Sequence, residues 1–154
     1  MKKIILTLLV GLSLSAAQAQ NFGKINEILD RLEQRKGFNQ NLGDVDLNGK
    51  KFIAIKDFED HTERQFIIFN QNKVNYIEVF DDKKTQKTTS NVFSGDMMRT
   101  KKNVISIRAD LLEGEKIPIP ITKTLWLNKE KNILYLIDIN TKERWIDQTA
   151  LNKQ

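Results

Sequence analysis

The feature that most restricts this chain is an apolar alternation of period two, running with short polar breaks from Lys50 to Asp147. Successive side chains on a strand point to opposite faces of a sheet, so this period specifies strands and not helices. Eight segments carry it: 50–57, 64–69, 73–80, 91–98, 104–109, 119–127, 133–138 and 143–147. Val, Ile, Phe, Tyr and Trp dominate them, the residues that best fill a pleated surface. No break between them is long enough for the crossover helix that a parallel pair needs, so sequence neighbours pair antiparallel. Asn70-Gln71-Asn72 and Asn140-Thr141-Lys142 are hairpin-sized connections.

Local signals refine the pattern. Asn48-Gly49 predicts a type I′ hairpin turn, with residues 44–47 as a short leading strand. Ser94-Gly95-Asp96 predicts a turn or bulge inside its segment. Pro118 and Pro120 place 117–121 at an edge or a strand entry, because proline donates nothing to a ladder. Phe66-Ile67-Ile68-Phe69 and Ile133-Leu134-Tyr135-Leu136-Ile137 spare neither face, so both faces of those strands need cover. Residues 21–36 supply an amphipathic helix with Phe22, Ile25, Ile28, Leu29 and Leu32 on one stripe and Gly37 as its cap. The expected fold is mainly β: an antiparallel meander of about eight strands, a curved sheet or barrel, with one N-terminal helix. An α+β sheet around a helix, cystatin-like, is the alternative. The outline is similar to lipocalin-like and cystatin-like proteins, although the G-x-W of the lipocalins is missing from the first strands.

Residues 1–19 read as a cleaved signal peptide. Lys2 and Lys3 precede an apolar run from Ile4 to Leu14, and Ala17-Gln18-Ala19 is a small-x-small cleavage pattern. The run is shorter than the ~20 residues a membrane span requires. Residues 20–154 are then one exported domain, periplasmic or secreted, and the chain has no cysteine to be acylated. Loss of Lys2 and Lys3 lowers the formal charge from +5 to +3, too mild an excess to indicate nucleic acid.

Composition excludes several chemistries. With no Cys there is no disulfide framework, thiolate metal site or thiol nucleophile. A single His excludes a His-pair metal site. Asp44–Asn48 resembles the start of an EF-hand loop, but its twelfth position is Ile55 where a bidentate acid is needed. Asp57, Glu59, Asp60, His61 and Glu63 form the densest ionisable cluster, readable as a general base or, more simply, as a solvated turn. Neither G-x-S-x-G, S-x-x-K nor a Gly-rich phosphate loop occurs, so a non-catalytic protein without cofactor or metal is expected.

Two binding features remain. Tyr76, Trp126 and Trp145 are candidates for the wall of a ligand pocket, with Trp126 and Tyr76 foremost, Trp126 sharing its face with Thr122 and Thr124. In a meander alternate turns meet at one end, which would gather Arg99, Lys101, Lys102, Lys129 and Lys131 into a basic pole facing an acidic one. The expected function is an exported binding module that engages a protein or other anionic partner, as inhibitor or immunity-type proteins do. A carrier of a small apolar ligand inside the sheet is the alternative.

Overall fold

Eight antiparallel strands close into a barrel in simple sequence order. The structure is a computed structural model that describes residues 41–100 and 103–153. Its strands are β1 (Lys51–Asp57), β2 (His61–Asn70), β3 (Lys73–Asp82), β4 (Thr88–Arg99), β5 (Val104–Leu112), β6 (Glu115–Glu130), β7 (Ile133–Asp138) and β8 (Arg144–Asp147). A short 3-10 helix, Gln148–Lys153, follows. Closure is made by β8 pairing with β1, Phe52 opposite Asp147 and Ile53 opposite Ile146. That seam removes the free edges an open sheet would expose, and it replaces the cystatin-like alternative with a barrel. The expected helix at 21–36 and the signal segment lie outside the described residues.

Several local expectations are corrected. Residues 44–47 form no strand. The Leu47–Lys50 turn is closed by the Lys50 amide bonding the Leu47 carbonyl at 3.0 Å. Of its central pair, Gly49 alone has positive φ (72°), so the turn is not type I′, which needs it at both. Positive φ at both central residues, as type I′ requires, occurs instead at Glu113-Gly114 (φ 51° and 88°) and at Lys131-Asn132 (φ 45° and 68°). The expected irregularity at Ser94-Gly95-Asp96, by contrast, is present, as a register shift between Ser94 and Gly95 within β4. Around Pro118 and Pro120 the β5–β6 register also shifts, with Ala109 opposite Ile121 but Leu111 opposite Lys116.

Alternation sorts the strands into an inner and an outer face. Phe52, Ile67, Phe69, Val74, Tyr76, Ile105, Leu125, Leu127, Leu136 and Trp145 belong to one buried interior cluster. Residues 41–49 plug one end of this interior with Leu42 and Leu47, and Val45 packs against the cluster. The outward-pointing Phe66, Ile77 and Ile146 are buried as completely as the interior, so that side of the barrel does not meet solvent. This agrees with the doubly apolar strands of the sequence.

Candidate functional site

The two ends of the barrel differ in chemistry. At the plugged end, where β2–β3, β4–β5 and β6–β7 turn, the interior is apolar. Toward the other end, inward positions change to polar and charged. Continuing the alternation past Ala54, Ile67, Tyr76, Leu125 and Leu136 puts Lys56, Gln65, Glu63, Glu78, Lys123 and Asp138 on the inner face. Glu143 joins them in step with Trp145. Lys56 faces Glu63 across β1–β2, and Gln65 lies between Ala54 and Glu78. Side chains that point inward yet keep solvent access, such as Glu63 at 24% and Lys56 at 41%, require a mouth open to water at this end.

Lys123 is the hub. Its ammonium lies 3.3 Å from Glu143 Oε2 and 3.6 Å from Asp138 Oδ2. It also sits 5.2 Å from the ring centroids of both Tyr76 and Trp145, within cation–π range. Lys56 pairs with the other oxygen of Glu143. Burial opposes ionisation of Glu143, but the bonds and charges of the two lysines outweigh it and hold its carboxyl below the usual range. Asp138 spends its second oxygen on the backbone, accepting from the Asn140 and Thr141 amides at 2.8 and 3.2 Å. This Asx turn is the local reason for an aspartate at the end of β7. The Tyr76 hydroxyl donates to Glu78 Oε1 at 2.9 Å. Burial, reinforced by the carboxylates of Glu78, Glu143 and Glu63, pushes the Tyr76 phenol well above its ordinary value, so it remains a donor.

Two buried polar atoms of this layer have no hydrogen-bond partner among the described residues: Trp145 Nε1 and Gln65 Oε1. Trp145 is 0% exposed and Gln65 9%. Leaving such groups unsatisfied costs roughly 1–3 kcal/mol each. Between the two strands that carry them stands Ala54 of β1, paired with Gln65 and one step along the seam from Ile53–Ile146.

The sequence candidates are placed as follows. Tyr76 lines this interior, but Trp126 lies between the inward Leu125 and Leu127 and therefore faces outward, so the two do not share a wall. Arg99, Lys129 and Lys131 do gather at the plugged end, as the meander requires. Arg99 is not a free surface charge, however. Its guanidinium donates to the Val45 carbonyl at 2.5 Å and to the Leu42 carbonyl, clamping the plug, while Asn103 Oδ1 accepts from the Leu42 amide at 3.0 Å. Lys101 and Lys102 lie outside the described residues. The 57–63 cluster is a β1–β2 turn in which His61 stacks on Phe58, with ring centroids 4.5 Å apart, and bonds Asp60 at 2.6 Å and Glu63 at 3.3 Å. Among the described residues no three acids and histidines group as a metal site. No helix among them is long and apolar enough to cross a membrane.

Sequence reasoning missed Lys123, Asp138 and Glu143, each of which reads locally as a polar strand or turn residue. The available signal was parity: each is in step with an inward Leu or Trp two positions away. No family model, curated protein or solved structure matches the chain.

Proposed function

We propose that this protein is an exported, non-catalytic binding module of lipocalin-like architecture that holds a small molecule in the polar half of its barrel. The observation that carries the reading is the inward-facing layer of Lys56, Glu63, Lys123 and Glu143, charged side chains that keep access to water at the open end of the barrel. An eight-stranded barrel has an interior just wide enough for side chains or for one small ligand, and barrel mouths are common ligand sites. The charged lining shifts the ligand from the apolar class expected from the sequence to a polar or amphipathic one. Export rests on the Lys2-Lys3, Ile4–Leu14 and Ala17-Gln18-Ala19 pattern. The absence of a nucleophile motif in the sequence supports binding over catalysis.

A fragment screen followed by 1H–15N NMR tests the reading. Hits should shift the Trp145 indole N–H and amides around Ala54 and Gln65 while leaving the plug residues 42–49 in place. A screen whose hits all map to the outer surface overturns it.

Engagement of a protein partner is the second reading, and one observation favours it. Phe58, Ile119 and Ile139 are exposed large apolar residues, Ile119 at 81%. Phe58 and Ile139 lie in the β1–β2 and β7–β8 turns of the open mouth, and Ile119 lies in β6 a few residues after the β5–β6 turn. If a partner caps the mouth, Ile119→Ser should weaken its capture without altering stability. Unchanged capture by that variant sinks the idea.

A further inference from the structure

Ile119 is the most exposed large apolar side chain among the described residues, at 81%, and Met98 follows at 65%. Ile119 sits in the run Ile117-Pro118-Ile119-Pro120-Ile121, where four residues of β6, 117–120, stand against the single Asp110 of β5. Ile117 and Ile121 anchor the two ends of this bulge by packing against the interior cluster. A proline on either side fixes the backbone, so little conformational entropy is lost when Ile119 is covered. The result is a rigid apolar knob. Met98 forms one wall of a groove of about 660 Å³ between the plug and β4, with Val45, Leu47 and Met97 as its other apolar residues. The groove is preformed, because its walls are tied to one another. Arg99 donates to the Val45 carbonyl at 2.5 Å, the Gln71 amide to Asn48 Oδ1 at 3.0 Å, and the Met97 amide to the Asn72 carbonyl at 2.9 Å. Methionine walls adapt their shape to an incoming side chain.

Knob and groove border one face, the outside of β4, β5 and β6. Across it Met98 pairs with Ser106 and Ser106 with Thr124, while Asp96 pairs with Arg108 and Arg108 with Thr122. Met98 lies at one border of these rows, and Ile119 lies beyond Thr122 at the other. Ser106, Thr122 and Thr124 are small, so a second sheet can come close between the two. Arg108 is exposed and makes no ion pair among the described residues. Asp96 is held only by Lys73, and both side chains are largely in water at 72% and 73%. A free cation beside a loosely held anion makes a face that complements a copy of itself. We infer that this face joins two copies of the chain as an isologous dimer, Ile119 of each copy entering the Met98 groove of the other. Arg108 of one copy then meets Asp96 of its partner. A second copy is favoured over an unrelated protein because both halves of the contact, knob and seat, are present on this chain. Neither the interior ligand nor a partner at the mouth is needed for it.

Sedimentation velocity of the purified protein, from about 10 μM to about 1 mM, should show the mass rising from monomer to twice that value and no further. Ile119→Ser and Met98→Lys should each raise the dimer dissociation constant at least about tenfold. Both side chains are exposed, so circular dichroism of either variant should match the parent. An equal mixture of the two variants retains one intact contact, an unaltered Ile119 in an unaltered groove. It should therefore dimerise more tightly than either variant alone. A parent protein that stays monomeric throughout overturns the inference, as does a Met98→Lys variant that dimerises like the parent. A mixture no tighter than its components does the same. If Ile119→Ser abolishes capture of another protein while Met98→Lys does not, the knob serves a partner at the mouth and the dimer falls.

Discussion

At Gly95 the backbones of β4 and β5 approach too closely for any side chain. A Cβ there would sit against the Arg108 carbonyl oxygen and 2.6 Å from the Ala109 Cα, both backbone atoms that no rotamer change can move. Gly95→Ala should therefore force the bulge apart and destabilise the barrel by roughly 2 kcal/mol or more, read as a lowered urea midpoint. A midpoint within error of the parent would mean that the bulge can shift without cost. The opposite sign is expected at the β6–β7 turn. Lys131 and Asn132 both hold positive φ, where a lysine is strained and Asn-Gly is the preferred pair. Replacing the pair by Lys131→Asn with Asn132→Gly should stabilise the fold by about 0.5–1 kcal/mol. A destabilised double variant would show that Lys131 contributes more through its charge than it loses in backbone strain.

Among the elements, the β1–β2 hairpin carries the clearest pH dependence. The bond from Asp60, helped by Glu63, raises the His61 pKa above its ordinary value although some burial works against it. A raised folded-state pKa means that the folded form binds the proton more tightly. The stabilisation is thus complete below about pH 6.5, the unfolded value, and disappears as pH climbs through the folded one. NMR titration should place the His61 midpoint above 6.5, and Asp60→Asn should lower it. A midpoint at or below about 6.5 in the parent removes the hairpin from the pH response. This hairpin also marks what was readable in advance. Its strands, like the other six, were visible because each buries one face and alternation records burial directly. Their ends were less legible: β2 begins at His61 and β6 at Glu115, through polar residues whose pairing depends on the partner strand and not on their own hydropathy. The site was hidden for the same reason. Lys123, Asp138 and Glu143 are polar at positions where a barrel turns inward, and only closure distinguishes an inward polar residue from a solvated one. Arg99 misled in the opposite way, since a basic residue near a turn gives no sign that two carbonyls of a plug await it.

On the scale of the whole molecule, closure is the decisive and the least secured event. The first seven strands pair over long registers, ten positions for β2–β3 and nine for β3–β4, whereas the seam joins β1 to a strand of only four residues. Hydrogen bonds add roughly 1 kcal/mol each, so a seam with so few of them opens at a smaller cost than any other pair. Side chains compensate in part. Asp147, only 4% exposed, accepts from Lys50 Nζ at 3.1 Å with one oxygen. Its other oxygen takes the Thr149 amide and hydroxyl at 3.0 and 2.9 Å, tying the seam to the 3-10 helix beyond it. Native-state hydrogen exchange should accordingly find the β8 amides opening at lower free energy than those in the middle of β2 and β3. Asp147→Ala removes the ion pair and both Thr149 bonds together, and should cost about 2 kcal/mol of global stability. It should lower the protection of β8 further while the β3–β4–β5 ladder keeps its order of exchange. The consequence reaches function, because Trp145 stands on β8 and Gln65 on β2, with Ala54 of the seam strand between them. A loosened seam moves one side of the proposed site away from the other, so Asp147→Ala should weaken binding of interior-site fragments more than its effect on the folded fraction accounts for. Uniform exchange across all eight strands, with binding reduced only in proportion to unfolding, would instead identify closure as part of one cooperative unit and detach the seam from the site.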